Sequence, residues 1–96
     1  MSKASHNDIE TLYRAILSLR TTDEARKFFR DLLTETEIKE FAERWKAARM
    51  LARGVPYTKI IDETGLSSTT VARVARWVKK GTGGYRLALR RTGVTK

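Results

Sequence analysis

The chain has 96 residues, no cysteine and a formal net charge of +9 at pH 7. Without cysteine it has neither disulfides nor thiolate zinc sites, and its apolar runs are too short to span a bilayer. A chain of this length predicts a single domain, residues 1–96, whose modest core oligomerisation would help to stabilise. Because its first residues lack the apolar stretch of a signal peptide, we expect a cytoplasmic protein.

The positive charge is concentrated in the last third of the chain. Residues 1–63 hold 12 basic and 11 acidic side chains, whereas residues 64–96 hold 8 basic side chains and no acidic one. Such a one-sided basic segment predicts an anionic partner, with nucleic acid the first choice and a membrane surface the second. The alternative is a solvated basic tail that only aids solubility.

The apolar spacing predicts two short helices at the start of the chain. The first covers about residues 8–20, and Asn7 with Glu10 three positions later is a capping box for its start. Thr22 or Asp23 is the expected cap of the second helix. Period-two alternation, which would indicate strands, is absent.

A third and longer helix follows. Thr34 and Glu37 form a second capping box, and the apolar spacing continues to about Arg53. Gly54 is placed to end this helix in the C′ position, and Pro56 blocks its continuation.

The apolar faces of the first three helices are too wide for the core of so short a chain. Helix one is apolar over much of its circumference, and the third helix is long. We therefore expect residues 8–53 to form the dimerisation region of a homodimer. An ordinary monomeric helical bundle is the alternative.

Residues 57–80 have the layout of a helix-turn-helix. A short helix over 57–64 places Ile60 inward, Gly65 permits the positive φ of a tight turn, and Leu66 plugs that turn. The second helix begins at a serine cap and runs to about Lys80. Its inward face recurs at i, i+3, i+4 and i+7 and consists of Val71, Val74, Ala75 and Val78.

The outward face of the same helix suits a recognition helix. It is small and hydroxylic near its start and basic towards its end, so the backbone can approach the major-groove floor while the flanks hold phosphates. This face consists of Thr69, Ala72, Arg73, Arg76 and Lys80. The full set of expected DNA contacts is Thr58, Lys59, Ser67, Ser68, Thr69, Thr70, Ala72, Arg73, Arg76, Lys79 and Lys80.

Residues 81–96 consist of a glycine-rich break and a basic C-terminal segment. The stretch 85–91 is long enough for about two helical turns, which need docking to be stable. Two interpretations stay open: Arg86, Arg90 and Arg91 contact phosphates, or the helix docks on a partner subunit through its apolar residues while its arginines are solvated.

Two stretches, LLTETEIKEFAERWKAARMLARG and YTKIIDETGLSSTTVARV, resemble the tryptophan repressor family, and more closely its YerC/YecD-type branch. The resemblance covers about residues 8–92 and is most specific from Arg44 to Arg76. It implies an all-α, intertwined homodimer with a helix-turn-helix in each subunit. It also implies that the partner is double-stranded DNA with a near-palindromic operator.

The resemblance also implies a possible ligand pocket. The family binds its tryptophan corepressor between two arginines, and the matching positions are Arg44 and Arg73. The family has glycine directly after the second arginine, where this chain has Val74, and Trp77 replaces a serine that holds the ligand's amino group. These side chains would fill much of the slot, with Trp77 as a core residue. We therefore expect no control by tryptophan, and the effector, if any, is unknown.

An enzyme is not expected. His6 is the only histidine, no cluster has metal-ligand spacing, and no glycine-rich loop precedes a helix as a phosphate cradle requires. We therefore expect no catalytic residue, no metal, no cofactor and no membrane partner. The predicted function is a sequence-specific DNA-binding regulator, a repressor. The alternatives are a protein-interaction module of the transcription machinery and a protein that coats nucleic acid without sequence preference.

Overall fold

The structure, a computed structural model, describes residues 3–96, and within these it contains helices and no strand. The six helices are α1 (His6–Leu17), α2 (Thr22–Leu32), α3 (Glu35–Ala52), α4 (Tyr57–Thr64), α5 (Ser68–Lys80) and α6 (Gly84–Arg91). The expected all-α class is confirmed. The chain divides into two compact units, Met1–Ile38 and Lys39–Lys96.

The start of α1 differs from the predicted one. Ser5 caps the helix: the Asp8 backbone N–H donates to Ser5 Oγ at 3.2 Å, and the Ser5 N–H donates to Asp8 Oδ2 at 2.9 Å. The predicted capping box of Asn7 and Glu10 is wrong, because both residues already lie inside the helix. The helix also ends at Leu17, before the predicted residue 20.

The cap of α2 also lies earlier than predicted. Thr21 is the N-cap, and its hydroxyl accepts the backbone N–H of Glu24 at 3.1 Å. Thr22 and Asp23, the two predicted caps, are instead the first residues of the helix. The Asp23 carboxylate pairs there with two cations of the following turn, at 3.2 and 3.1 Å.

The capping box of α3 is confirmed. The Glu37 N–H donates to Thr34 Oγ1 at 3.1 Å, and the Thr34 N–H donates to Glu37 Oε1 at 2.9 Å. The bond from the Thr34 backbone N–H lowers the pKa of Glu37, and the bond from the Ser5 backbone N–H lowers the pKa of Asp8 in the same way. Both carboxylates are stabilised because donors at a helix start favour negative charge.

The end of α3 is a Schellman motif. The Gly54 N–H donates to the Leu51 carbonyl at 3.1 Å, and the Val55 N–H donates to the Met50 carbonyl at 3.0 Å. Gly54 has φ +78°, so the predicted C′ glycine is confirmed.

The core of the second unit is built from α3, α4 and α5. Its buried cluster consists of Ala47, Ala48, Met50, Ile60, Val71 and Val74. The first unit is different, because neither α1 nor α2 contains a buried side chain. Their exposed large apolar side chains are Ile9, Tyr13, Leu17 and Leu32. No helix of residues 3–96 has the length and apolar character that a membrane span requires.

Candidate nucleic-acid interface

The turn between α4 and α5 is held by a buried threonine and a glycine. The Thr64 hydroxyl donates to the Ile60 carbonyl at 2.7 Å and accepts the Leu66 N–H at 3.2 Å. Gly65 follows in the left-handed region, with φ +74°, and its N–H donates to the Ile61 carbonyl at 2.9 Å. The sequence indicated the glycine and the inward Ile60. It also indicated that Thr64 ends the helix with Gly65, but it did not reveal the two hydrogen bonds of the Thr64 hydroxyl.

A lysine of α3 also holds the end of α4. The Lys46 ammonium group donates to the Glu63 carbonyl at 3.2 Å. A cation at a helix C-terminus satisfies a free carbonyl and complements the helix dipole. The contact joins α3 to the turn that precedes α5, and sequence analysis missed it because the partners are 17 residues apart.

The inward face of α5 is seated as predicted. Val71, Val74 and Ala75 are buried, and Val78 is half-buried against the core cluster. Ser67 is the N-cap, and its Oγ accepts the Thr70 backbone N–H at 3.1 Å. Since one side of α5 is anchored along its length, the opposite side is presented to solvent.

The outward face of α5 is exposed and carries unpaired cations. Its residues Thr69, Ala72, Arg73 and Arg76 line an open cleft of about 620 Å³ together with Trp77. Within residues 3–96, no hydrogen bond or ion pair engages the guanidinium of Arg73 or Arg76. The ion pairs of this described part of the chain all lie between residues 6 and 35. Both arginines are therefore free to bind an external anion.

The other predicted contacts surround this face. Thr58 and Lys59 are exposed on the first turn of α4, whose N-cap Pro56 makes no side-chain capping bond. Lys79 and Lys80 are exposed on the last turn of α5.

The hydroxyl side chains at the start of α5 differ in their exposure and in their hydrogen bonds. Ser67 and Ser68 are exposed. Thr70 is half-buried, and its Oγ1 is bonded to Ser67 Oγ at 2.9 Å. The Thr70 hydroxyl is thus engaged by the N-cap residue Ser67, whereas the Ser68 side chain makes no such bond in the described structure.

The C-terminal helix α6 docks on its own chain. Leu89 is only 2 % exposed, and Tyr85 packs against the core cluster. The Arg86 Nε donates to the Val78 carbonyl of α5 at 3.0 Å. Sequence analysis weighed docking on a partner subunit and phosphate contact, but not this docking within the chain. Arg90 and Arg91 stay exposed.

The predicted pocket residues lie together. A cavity of about 160 Å³ is lined by Arg44, Thr70, Arg73, Val74, Trp77 and Tyr85. Trp77 is 52 % exposed, so the expectation that it is a core residue of its own chain is wrong. It lines both this cavity and the open cleft on the outward face of α5. Within residues 3–96, no three potential metal ligands cluster together.

Comparison with known proteins gives consistent matches over nearly the whole chain. The model of the family described as Trp repressor protein matches residues 7–93. The protein YerC of Bacillus subtilis (strain 168) is 40 % identical over 96 residues, which span 100 % of this chain and 92 % of YerC.

Two solved structures share the fold. A TrpR-like protein from Eubacterium eligens ATCC 27750 is 37 % identical and has a TM-score of 0.88, with 96 % of this chain and 95 % of that chain covered. A candidate Trp repressor from Staphylococcus aureus is 33 % identical and has a TM-score of 0.87, with 96 % and 92 % covered.

Proposed function

Because the chain belongs to the Trp repressor family, we propose that it is a homodimeric, sequence-specific DNA-binding regulator that represses transcription. The outward face of α5 carries the proposal. Its first turns are small and exposed, and its arginines Arg73 and Arg76 have no partner among the described residues. A helix with a small, hydroxylic start and free guanidinium groups fits the major groove.

The proposed mechanism assigns different tasks to different parts of α4 and α5. Thr69 and Ala72 are small enough to let the α5 backbone approach the base edges. Arg73 and Arg76 offer bidentate donors to guanine or to phosphate. The basic last turn of α5 and the exposed first turn of α4 hold the two flanking phosphate backbones. Acidic residues are absent from this end of the chain because they would repel phosphate.

The proposed dimer forms through residues 8–53. Support comes from the first unit, where α1 and α2 contain no buried side chain and Leu17 is 83 % exposed in the single chain. A second copy would cover these apolar side chains and supply the burial that the unit lacks. Two recognition helices would then lie about 34 Å apart, one duplex turn, and read a near-palindromic operator. Residues 57–80 are the proposed helix-turn-helix of the single family domain.

Tryptophan is not the proposed effector. The cavity between Arg44 and Arg73 has about 160 Å³, and Val74 and Trp77 occupy its walls. Pockets for drug-sized ligands are larger, roughly 300–1,000 Å³. Calorimetry with L-tryptophan at a concentration of about 1 mM, which would reveal binding with a dissociation constant below that concentration, should show no saturable heat. Saturable binding of one tryptophan per subunit would refute this part of the proposal.

The decisive experiment is selection of bound duplexes from a random library at near-physiological salt, with purified protein and no added ligand. An enriched two-fold-symmetric motif would support the proposal and give the half-site spacing. Steeply salt-dependent binding without sequence enrichment would indicate a coating protein instead. A monomer that shows no duplex binding would indicate a protein-interaction module. The relatives named above are bacterial, so the proposed site of action is the cytoplasm, where bacterial DNA lies.

A further inference from the structure

A second cleft lies on the flank of α5 that faces away from the proposed DNA surface. It has about 520 Å³ and opens between the end of α3, the last turn of α5, α6 and the residues that follow α6. Its floor is apolar and is formed by Ala52, Val78 and Leu89. Hereafter it is called the basic cleft, for the cations at its rim.

The position of Val78 separates this cleft from the DNA face. Val78 follows Thr69 by nine positions, which is about two and a half turns of an α-helix, so the two side chains point in opposite directions. Neither Arg73 nor Trp77 lines the basic cleft. The small cavity between Arg44 and Arg73 shares no lining residue with it. The basic cleft is therefore distinct from the outward face of α5 and from the cavity between Arg44 and Arg73, and it shares only Lys79 with the expected DNA contacts.

The rim of the basic cleft is positively charged. Lys79, Arg86 and Arg90 line it from two helices, and Lys96 lines it from the C-terminal segment. Among residues 3–96, no carboxylate forms an ion pair with any of these four cations. All four cations thus line one opening and have no ion-pair partner among the described residues.

One of these cations is held in place before any ligand arrives. The Arg86 Nε donates to the Val78 carbonyl at 3.0 Å, and no other hydrogen bond of the described residues engages this side chain. This bond restrains the guanidinium group, and its two terminal nitrogens stay available. A preorganised guanidinium loses little conformational entropy on binding, so it favours carboxylate or phosphate.

We propose that the basic cleft is a binding site for a small organic anion, a molecule with a carboxylate or phosphate group on an apolar body. The anionic group would lie among Lys79, Arg86 and Arg90, and the body would cover Ala52 and Val78, the two apolar lining residues that are partly exposed. The volume lies within the range of small-molecule sites, roughly 300–1,000 Å³. A duplex phosphate needs cations but no apolar floor, so the floor favours the small molecule. This inference does not depend on DNA binding.

Phenyl phosphate is the probe for an NMR titration of the isotope-labelled, full-length protein in a phosphate-free buffer. We expect saturable shifts of the Ala52, Val78 and Leu89 methyl signals. Inorganic phosphate, which lacks the apolar body, should bind at least about fivefold more weakly, since the body adds buried apolar area. Benzyl alcohol, which lacks the charge, should not shift these signals saturably. Methyl signals that do not respond to phenyl phosphate would overturn the proposal.

Two arginines of α6 provide matched variants. Arg90 lines the basic cleft, whereas the neighbouring Arg91 is exposed and does not line it. Arg90→Gln should weaken phenyl phosphate binding by about fivefold to tenfold, the effect of losing one charge-assisted bond, and Arg91→Gln should leave it unchanged.

If both variants weaken phenyl phosphate binding equally, net charge alone causes the effect and the proposal is overturned. The same holds if Arg90→Gln weakens duplex binding but leaves phenyl phosphate binding unchanged, since the rim would then belong to the DNA interface. Both substitutions are at exposed positions, and an unchanged amide spectrum away from the cleft checks that each variant folds.

Discussion

Replacing Arg76 by alanine tests the proposed recognition helix directly. The side chain is exposed on α5 and has no hydrogen bond or ion pair among residues 3–96, so the change in the free energy of unfolding should stay within about 0.5 kcal/mol. In a DNA complex the same guanidinium would make a bidentate contact to a base or a phosphate. Losing it should cost about 1–3 kcal/mol of binding free energy, which is about fivefold to 150-fold in Kd.

Fluorescence anisotropy on a selected operator, repeated over a range of salt concentrations, measures this loss and identifies the contact. If Arg76 binds phosphate, the negative slope of log K against log salt should become shallower by about 0.9 in Arg76→Ala. If it reads a base edge, the slope should change little and the preference at one base pair should relax.

The control for this experiment is Lys3→Ala, which removes one positive charge from an exposed and unpaired side chain that precedes α1 and lies outside the proposed dimerisation region. It should leave Kd nearly unchanged. Equal affinities of the wild type and Arg76→Ala would remove Arg76 from the interface. A comparable loss in Lys3→Ala would show that net charge, and not the outward face of α5, drives binding.

Three further predictions concern α5, the turn before it and the start of α3. Thr69→Glu places a negative charge on the exposed outward face and should abolish duplex binding with unchanged helix content and dimer mass; persistent binding would show that α5 does not enter the groove. Gly65→Ala should lower the free energy of unfolding in urea by about 1–2 kcal/mol, because Gly65 has φ +74°. Gly84→Ala is the control: φ is not positive there, no atom lies within 4 Å of the added Cβ, and no loss is expected. Because the pKa of Glu37 is lowered in the folded state, its capping contribution is present above the ordinary carboxyl range and is lost as pH falls through the lowered pKa. Acid titration of stability should show this component in the wild type and not in Glu37→Gln.

The dimer prediction has a physical consequence for stability. The buried cluster lies wholly in the second unit, and α1 and α2 contribute nothing to it. If residues 8–53 form the dimer, the apparent free energy of unfolding should rise with protein concentration, because association stabilises only the folded state.

Features that depend on neighbouring residues were predictable from the sequence. The Thr34–Glu37 box, the C′ glycine at position 54 and the inward Ile60 were all found where short-range rules place them. The first cap was mispredicted because Ser5 with Asp8 offers the same spacing as Asn7 with Glu10, and hydrogen-bond geometry selects between them. Apolar spacing alone did not show that α1 stops at Leu17.

The sequence by itself determined which residues form α4 and α5 and which side of α5 faces inward, because a 3.6-residue period and a glycine are local signals. Tertiary structure decided the rest. Only packing shows that Trp77 is half exposed, that Arg86 is tied to the end of α5, and that α6 docks on its own chain. The basic cleft likewise exists only in three dimensions, since Ala52 and Lys96 are 44 positions apart and meet through the packing of helices between them. Long-range contacts of this kind produce no periodic pattern in the sequence, because each depends on the relative placement of whole helices.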